Sequence, residues 1–486
     1  MKKPSDFEAC ERERKKYMEY GVTLQWGVKP WQIFQQRPDG TACIAFGGKY
    51  TRVHLSPDVP ISFTRVEKGA VTIKARIALE STGESIIPWT CAETMDEISW
   101  RIQFDNVPAG GLYRVETYME YEGWDGLSVT RGDMAHNIGV GDVFVIAGQS
   151  NAAGRAKNPV EDQPELGIHM LRCSGVWDLA THPLGETTGS EHLGHFENHN
   201  PGHSPWLHFA KRLKAELGYP IGLVNCAYGG APLKWWNKEE NGALTDNMLA
   251  MLDEYAITPK AVLWIQGEAE GYENAGDTYL PRFSALVAQI RKQLSSAKLP
   301  FLTVQLNRCV NESTLVLDRQ WGMVRQAQRD AMKALSNVWV VPSNDVSLYD
   351  FIHDSAQGNL VLGERVARMA LCEMYGKKYD WKAPEAESAV QTAPDTVELC
   401  FSRIRNWLNP FDVPPARLPI EAEDALGFAK AVAYEVHQAS LTLHFERPLQ
   451  KNASLHGAWR MDSGAYVPCD CMRMPMLSFY GLPITE

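Results

Sequence analysis

Short, nearly continuous apolar runs alternate with amphipathic stretches through the middle of the chain. The runs are VFVIAG (143–148), IGLVNCA (221–227), AVLWIQG (261–267), PFLTVQL (300–306) and VWVVPS (338–343). Helical periodicity lies between them, as in SPWLHFAKRLKAELG and WGMVRQAQRDAMKAL. Strands buried on both faces have such continuous apolar runs, and intervening helices are typical of parallel sheets. The pattern therefore predicts an α/β domain at residues 141–378, with a doubly wound parallel sheet.

The flanking regions show the two-residue alternation of strands that bury only one face. Before residue 140 it occurs in VTIKARIALE, EISWRIQF and LYRVETYMEY, with Gly and Pro between segments. A polar, proline-containing linker follows Gly376, and the alternation returns in TVELCFS, AKAVAYEV and ASLTLHFE. We therefore expect β-sandwich-like regions at residues 1–140 and, together with the linker, at residues 379–486.

Composition narrows the classes of function and location. The 486 residues carry 48 basic and 59 acidic side chains, a net charge of −11, so a nucleic-acid partner is not expected. No apolar window is long enough for a membrane-spanning helix, and the N-terminus lacks the apolar core of a signal peptide. We expect a cytoplasmic protein, with a processed periplasmic or secreted protein as the open alternative. The ten scattered cysteines fit free thiols rather than a zinc framework. The sequence does not indicate the oligomeric state.

Polar motifs follow the apolar runs, at the edge where the parallel strands are expected to end. Gly148-Gln149-Ser150-Asn151 follows the first run, Tyr228-Gly229-Gly230 the second and Gln266-Gly267-Glu268 the third, and Asp350-x-x-His353 lies beyond the fifth. Each motif alone is also typical of an ordinary turn. Their combination at the edge where open α/β sheets bind ligands favours a hydrolytic site.

The residue types at this edge match the needs of acyl transfer. The Ser150 hydroxyl becomes a nucleophile when a base takes its proton, and His353 can be this base near neutral pH. Asp350 can fix the imidazole tautomer and stabilise the imidazolium. Asp345 and Asp354 compete with Asp350 for this role.

An oxyanion intermediate also needs preorganised hydrogen-bond donors. The candidates are the backbone N–H groups of Ser150 and Gly230 and the side-chain amide of Gln266.

The ordered blocks resemble those of SGNH (GDSL-type) hydrolases, in particular the sialate O-acetylesterase-like family. The matching segments are GDVFVIAGQSN (141–151), AYGGAPLKWW (227–236), WIQGE (264–268), RQAQ (325–328) and DFIHDSAQGNLVLGERVA (350–367). The resemblance implies an SGNH hydrolase domain with Ser150, Asp350 and His353 as a catalytic triad. It also implies an oxyanion hole at Ser150 and Gly230, with Gln266 in place of the usual third-block Asn.

The chain departs from the family at three positions beside these motifs. Ala152, Ala231 and Asp354 stand where Met, Thr, and Pro or Phe are common. These differences bear on the acyl pocket rather than on the triad.

Several further residues are candidate substrate contacts, and each has a structural alternative. Arg155 can fork the carboxylate of a sugar acid or form an ordinary salt bridge, and Glu268 fits a buried structural carboxylate somewhat better than a ligand contact. One of Trp235 and Trp236 is expected at the sugar site and the other in the core. The complete set of candidates is Gln149, Asn151, Arg155, Gly229, Trp236 and Glu268.

Six of the thirteen histidines lie in one segment. Spacings of three and four residues can bring metal ligands together, but the segment is rich in Gly, Asn and Pro. We therefore expect a loop over the active site and no metal. The six are His182, His192, His195, His199, His203 and His208.

Together these observations predict a serine esterase that removes O-acetyl groups from a carbohydrate, with sialic acid as the leading substrate. It would act through an acetyl-enzyme and need no cofactor. Deacetylation of a polysaccharide such as xylan is the enzymatic alternative, because the same triad serves both. The alternative from another class is a non-catalytic carbohydrate-binding protein, which the intact Ser150, Asp350 and His353 disfavour.

Overall fold

A computed structural model of the protein describes residues 21–51, 71–96, 98–123, 126–190, 196 and 201–486. The N-terminal residues, from which we expected no signal peptide, lie outside these ranges, as do His192, His195 and His199. No helix in the described ranges is long and apolar enough to cross a membrane. The nine cysteines within them are free thiols.

Two sheets form the N-terminal region and enclose an apolar core. The strands are β1 (Gly21–Trp26), β2 (Ile33–Gln35), β3 (Thr41–Thr51), β4 (Val71–Leu79), β5 (Ser85–Cys91), β6 (Glu93–Thr94), β7 (Ser99–Pro108), β8 (Gly110–Gly123) and β9 (Gly126–Gly148). One sheet has the order β1-β3-β7-β6, and in the other β4 pairs with β5 and β8, and β8 pairs with β9. Phe46 and Trp100 of the first sheet and Ile77 and Val115 of the second belong to the same buried cluster.

The central region is a mainly parallel sheet between two layers of helices. Its further strands are β10 (Ile168–Leu171), β11 (Trp177–Leu179), β12 (Ile221–Asn225), β13 (Ala261–Ile265), β14 (Phe301–Val304) and β15 (Val338–Val341). Its helices are α1 (Ser150–Ala153), α2 (Trp206–Leu217), α3 (Leu233–Trp236), α4 (Ala243–Glu254), α5 (Glu268–Tyr272), α6 (Tyr279–Gln293), α7 (Leu315–Ala334) and α8 (Ala356–Glu373), with a 3₁₀ turn at Gly276–Thr278. The strand order is β11-β10-β12-β9-β13-β14-β15, and only β11 pairs antiparallel.

Side chains alternate between the two faces of this sheet, as the strand geometry requires. Val143 and Val145 of β9 pack in the cluster that includes α4, α6 and α7. Phe144 and Ile146 pack in the cluster that includes α2 and α8. Both faces are therefore buried, which explains the continuous apolar runs of the sequence.

Strand β9 belongs to both the N-terminal region and the central sheet. Its first part pairs antiparallel with β8, and residues 142–148 pair in parallel with β12 and β13. The expected domain boundary at 140/141 falls inside this strand. The two regions therefore share one continuous backbone element.

The C-terminal region closes into a barrel. Its strands are β16 (Glu385–Ala393), β17 (Thr396–Ser402), β18 (Leu408–Asn409), β19 (Ile420–Asp424), β20 (Gly427–Val436), β21 (Ser440–Phe445), β22 (Ser454–Gly457), β23 (Cys469–Asp470) and β24 (Phe479–Thr485), with a 3₁₀ turn at Pro415–Arg417. The barrel order is β16-β17-β21-β20-β19-β22-β24, and parallel pairing of β24 with β16 closes it. The mixed sheet-and-helix architecture is confirmed. The alternation in the C-terminal sequence could not distinguish a sandwich from a barrel, because both bury one face of each strand.

Arg325 of α7 joins the central sheet to the barrel. Its fully buried guanidinium donates to the carbonyl oxygens of Leu306 at 2.9 Å and Asn307 at 2.9 Å, which follow β14. It also donates to those of Ala458 at 2.9 Å and Arg460 at 2.6 Å, which follow β22. One side chain thus satisfies four carbonyl groups from two parts of the fold.

We predict that Arg325→Ala strongly lowers the free energy of unfolding, because it removes the hydrogen bonds that a buried side chain donates to these carbonyl oxygens. A loss of about 3 kcal/mol or more is expected in urea denaturation. Arg417→Ala, at an exposed arginine of the barrel region, is the control and should change the midpoint little. Equal midpoints for the Arg325 variant and the wild type would contradict this role.

Candidate active site

Ser150 lies at the start of α1, on the tight turn that ends β9. Gly148 precedes the turn with φ of +119°, and a Cβ there would come within 2.1 Å of the Ile265 carbonyl oxygen in β13. Only glycine fits such a close approach in that backbone conformation. The turn therefore holds the serine at the carboxyl edge of the sheet, between β12 and β13.

The structure brings together the three residues that the sequence selected as a triad. His353 Nε2 lies 3.0 Å from Ser150 Oγ, and His353 Nδ1 lies 2.7 Å from Asp350 Oδ2. With Nδ1 donating to the carboxylate, Nε2 presents its lone pair to the serine hydroxyl. This arrangement can take a proton from Ser150 and stabilise the resulting imidazolium.

A turn preorganises the Asp350 carboxylate. Its Oδ1 accepts the backbone N–H groups of Ile352 at 2.9 Å and His353 at 2.8 Å, while Oδ2 accepts from the His353 ring. Partial burial works to raise the pKa of Asp350, but these hydrogen bonds outweigh it and hold the pKa below its usual range. The group is therefore ionised at neutral pH.

The two competing carboxylates are engaged elsewhere. Asp345 makes a double hydrogen bond with Arg365, at 2.7 and 2.6 Å. Asp354 is fully buried and accepts from the Asn307 side-chain amide, and burial raises its pKa to about 7. The geometry thus favours Asp350 as the partner of His353.

The oxyanion-hole candidates divide into two groups. Ser150 and Gly230 line the cleft, and no acceptor in the described residues takes either backbone N–H. The Gln266 side chain is buried and donates instead to the Ala231 carbonyl oxygen at 3.3 Å and to the Glu270 carboxylate. The expectation for Gln266 is therefore wrong, because both of its amide hydrogens serve buried acceptors behind the Gly-Gly turn.

Gln149 places a different side-chain amide at the cleft. Its Oε1 accepts the backbone N–H groups of Gly267 and Ala269, each at 3.3 Å. The acceptor end is thereby fixed, which leaves the Nε2 end as the donor.

Asn151 and Trp236, which the sequence suggested as substrate contacts, are buried and do not line the cleft. Asn151 is buried: its Nδ2 donates to Glu268 Oε1 at 2.6 Å and to the Ile352 carbonyl, and its Oδ1 accepts from Asp354 N. Trp236 is 0% exposed and packs edge-on against Trp264 in the core. The expectation that these two side chains lie at the surface of the cleft is therefore wrong.

Glu268 shows features of both roles that the sequence left open, a buried structural carboxylate and a substrate contact. It lines the cleft, yet its side chain is buried and one oxygen holds Asn151, while Oε2 has no partner in the described residues. Burial raises its pKa. A carboxyl in such surroundings tends toward its neutral form.

These residues border an open cleft of about 610 Å³. Of the remaining expected contacts, Arg155 and Gly229 line it. The sequence analysis missed six lining residues, Lys157, Ala269, Tyr272, Glu273, Tyr349 and Ile352. A signal existed for Tyr272, since it lies four residues after Glu268 and so returns to the same face of a helix that begins at the strand end.

Part of the histidine-rich segment forms a cluster around Asp162, which the sequence did not single out. His182 Nε2 and His203 Nε2 lie 3.0 and 3.1 Å from Asp162 Oδ2, close enough for three metal ligands. Lys211 Nζ, however, lies 2.8 Å from the other carboxylate oxygen. Burial opposes ionisation of Asp162, but the three donors hold its pKa well below the usual range. The Lys211 ammonium already neutralises the carboxylate. We therefore interpret the cluster as a set of hydrogen bonds that connects the segments around Asp162, His182 and His203.

The central region is similar to proteins of a known family. Residues 140–372 match the sequence model of a carbohydrate esterase family, the sialic acid-specific acetylesterases. A probable carbohydrate esterase of Arabidopsis thaliana is 27% identical over 274 residues, which is 51% of this chain and 98% of that protein. The sialate O-acetylesterase of Homo sapiens is 23% identical over 251 residues, 44% of this chain, and the match spans about half (47%) of the human protein.

The fold also has a solved counterpart that extends through all three regions. The crystal structure of a carbohydrate acetylesterase from Xanthomonas citri superposes with a TM-score of 0.62 at 19% identity, over 94% of this chain and 99% of that chain. The family match and the relatives confirm the resemblance drawn from the motifs: residues 140–372 are similar to sialate O-acetylesterases, and the chain is a hydrolase of carboxylic esters.

We predict that Asp350→Asn lowers kcat/KM by about 10³-fold or more, because an amide preserves shape but permits the wrong imidazole tautomer. Asp345→Asn and Asp354→Asn are the matched variants and should retain far more activity, with circular dichroism reporting their folding. An inactive Asp345→Asn beside a near-wild-type Asp350→Asn would reassign the triad.

Proposed function

We propose that this sialate O-acetylesterase-like hydrolase removes O-acetyl groups from a carbohydrate by serine catalysis through an acetyl-enzyme. The continuous chain of contacts from Asp350 through His353 to Ser150 is the observation that carries the proposal. It supplies an ionised carboxylate, an oriented base and a hydroxyl at the edge of an open cleft.

In the first half-reaction, Ser150 Oγ attacks the acetyl carbonyl carbon while His353 Nε2 takes the hydroxyl proton. The oxyanion accepts hydrogen bonds from the N–H groups of Ser150 and Gly230, with Gln149 Nε2 as the third donor. His353 then returns the proton to the sugar oxygen as the C–O bond breaks. Acetyl-Ser150 and the free sugar hydroxyl result.

In the second half-reaction, His353 takes a proton from water, and the water oxygen attacks the acetyl-enzyme carbonyl. The same donors stabilise the second oxyanion. The ester bond to Ser150 Oγ breaks, the serine regains its proton from His353, and acetate leaves. The proposed chemistry uses only side chains and backbone groups of the chain.

Sialic acid is the favoured substrate because the cleft carries cationic groups beside the nucleophile. Arg155 and Lys157 line it within seven residues of Ser150. A guanidinium can bind a sugar carboxylate through two hydrogen bonds, which a neutral xylan chain cannot offer. Acetylated xylan remains the alternative substrate, since the triad does not depend on that carboxylate.

We predict that Ser150→Ala and His353→Ala each lower acetate release by about 10³-fold or more, because the triad acts as a unit. Initial rates with 9-O-acetyl-N-acetylneuraminic acid, acetylated xylo-oligosaccharides and glucose pentaacetate measure the effect, and circular dichroism reports the fold. Retention of more than about a tenth of the wild-type rate by either variant would exclude this mechanism.

We further predict that Arg155→Gln raises KM about tenfold for the acetylated sialic acid and by less than about twofold for glucose pentaacetate. Arg417→Gln, at an exposed barrel arginine, should change neither value. Equal effects of Arg155→Gln on the acidic and the neutral sugar would argue for a structural role of this arginine and against a sialic acid preference.

A further inference from the structure

The catalytic serine lies between two walls that come from opposite faces of the sheet. The segment after α1, which carries Arg155 and Lys157, is tied to the α8 side, where Asn158 Oδ1 accepts the Ala356 N–H at 3.0 Å. The other wall is the end of α5, where Tyr272 and Glu273 line the cleft. That helix packs on the α7 side.

Tyr272 is held rigidly although it is substantially exposed. Its ring meets the buried Trp321 of α7 edge-on, with centroids 5.0 Å apart and planes at 83°. Its hydroxyl is in hydrogen-bond contact with the buried Cys309 Sγ at 3.2 Å. Even so, 42% of the residue's surface remains accessible.

The residue before Tyr272 makes this packing possible. A Cβ on Gly271 would come within 2.5 Å of the Trp321 ring. Because glycine stands there, α5 lies directly on the indole, and the indole is itself fixed by a hydrogen bond from Nε1 to the Asn307 carbonyl oxygen. The orientation of the tyrosine ring is therefore set before any ligand binds.

The two walls of the cleft also differ in charge. The first wall carries two cationic side chains, whereas Glu273 beside Tyr272 is already paired with Lys234 at 3.0 Å. The Tyr272 wall thus offers an aromatic surface next to a neutralised ion pair. Such a surface suits an uncharged, partly apolar group, as the C–H face of a pyranose ring is.

We infer that Tyr272 is the platform of a sugar-binding subsite, against which a pyranose ring of the substrate stacks while its acetyl group reaches Ser150. The inference rests on the proposed function and adds the position of the sugar within the cleft. A fixed tyrosine provides a large contact area at little cost in side-chain entropy. Selectivity for sugar esters over simple alkyl esters follows from this contact.

The test compares sugar acetates with ethyl acetate, which carries the same acetyl group but no ring. We expect Tyr272→Ala to lower the ratio of kcat/KM for the sugar ester to that for ethyl acetate by about tenfold, mainly through KM. The sugar ester is glucose pentaacetate or 9-O-acetyl-N-acetylneuraminic acid, whichever the wild type hydrolyses faster. Acetate release is followed by titration at constant pH, since a p-nitrophenyl ester could itself stack on the tyrosine.

Three variants separate stacking from damage to the fold. Tyr272→Phe keeps the ring and should keep the ratio within about threefold of wild type, whereas Tyr272→Leu keeps the bulk, loses the flat face and should behave like Tyr272→Ala. Trp407→Ala removes an aromatic residue that is 57% exposed and belongs to the barrel region, so it should leave both substrates unaffected.

A ratio within twofold of wild type in both Tyr272→Ala and Tyr272→Leu would overturn the subsite. So would a wild type that hydrolyses neither sugar ester better than ethyl acetate. The proposed function fails separately, by absence of wild-type ethyl acetate hydrolysis or by its persistence in Ser150→Ala.

Discussion

The geometry of the active site depends on the side-chain amide of Asn151. This one group holds the nucleophile turn to Glu268 of α5 and to the loop that carries His353, segments 117 and 201 to 203 residues away along the chain. The amide oxygen accepts a hydrogen bond from the Asp354 N–H. The amide nitrogen donates to the Glu268 carboxyl and to the Ile352 carbonyl oxygen. A buried polar group with all of its partners in place adds rigidity where an unpaired one would destabilise. The 3.0 Å contact between Ser150 and His353 is therefore fixed by a neighbour that does no chemistry itself.

Carboxyl groups around His353 differ in function because their surroundings differ. Asp350 receives three hydrogen bonds that keep its pKa low, whereas burial raises the pKa of Glu268 and brings that of Asp354 to about 7. Environments that push the pKa values of neighbouring acids apart assign them separate roles. Of these three acids only Asp350 contacts the ring, so a single carboxylate orients the imidazole. The other two acids serve as hydrogen-bonding members of the support.

Much of this architecture was predictable from the periodicity of the sequence. The apolar runs that define β9, β12, β13, β14 and β15 reveal strands buried on both faces, and their ends locate the site to within a few residues. What periodicity cannot provide is the direction of a side chain at a turn. Gln266 and Trp236 follow strand ends just as Gln149 and Trp235 do, yet they turn inward, because Glu270 and Trp264 are packed behind them. The role of Asp162 could not be predicted from the sequence either, since its hydrogen-bond partners lie 20 to 49 residues further along the chain.

The continuity of β9 couples the N-terminal sandwich mechanically to the nucleophile. A strand advances by about 3.3 Å per residue and turns its side chains over at each step. One residue inserted in the half that pairs with β8 must be absorbed as a bulge there, or it would shift Ser150 by a full step and exchange the two faces of the central strand. The number of residues in one half of β9 therefore cannot change without affecting the other half. Recombination with a different N-terminal region would have to preserve the pairing register up to Gly148, so the exchangeable unit of this protein is larger than either of the regions that share the strand.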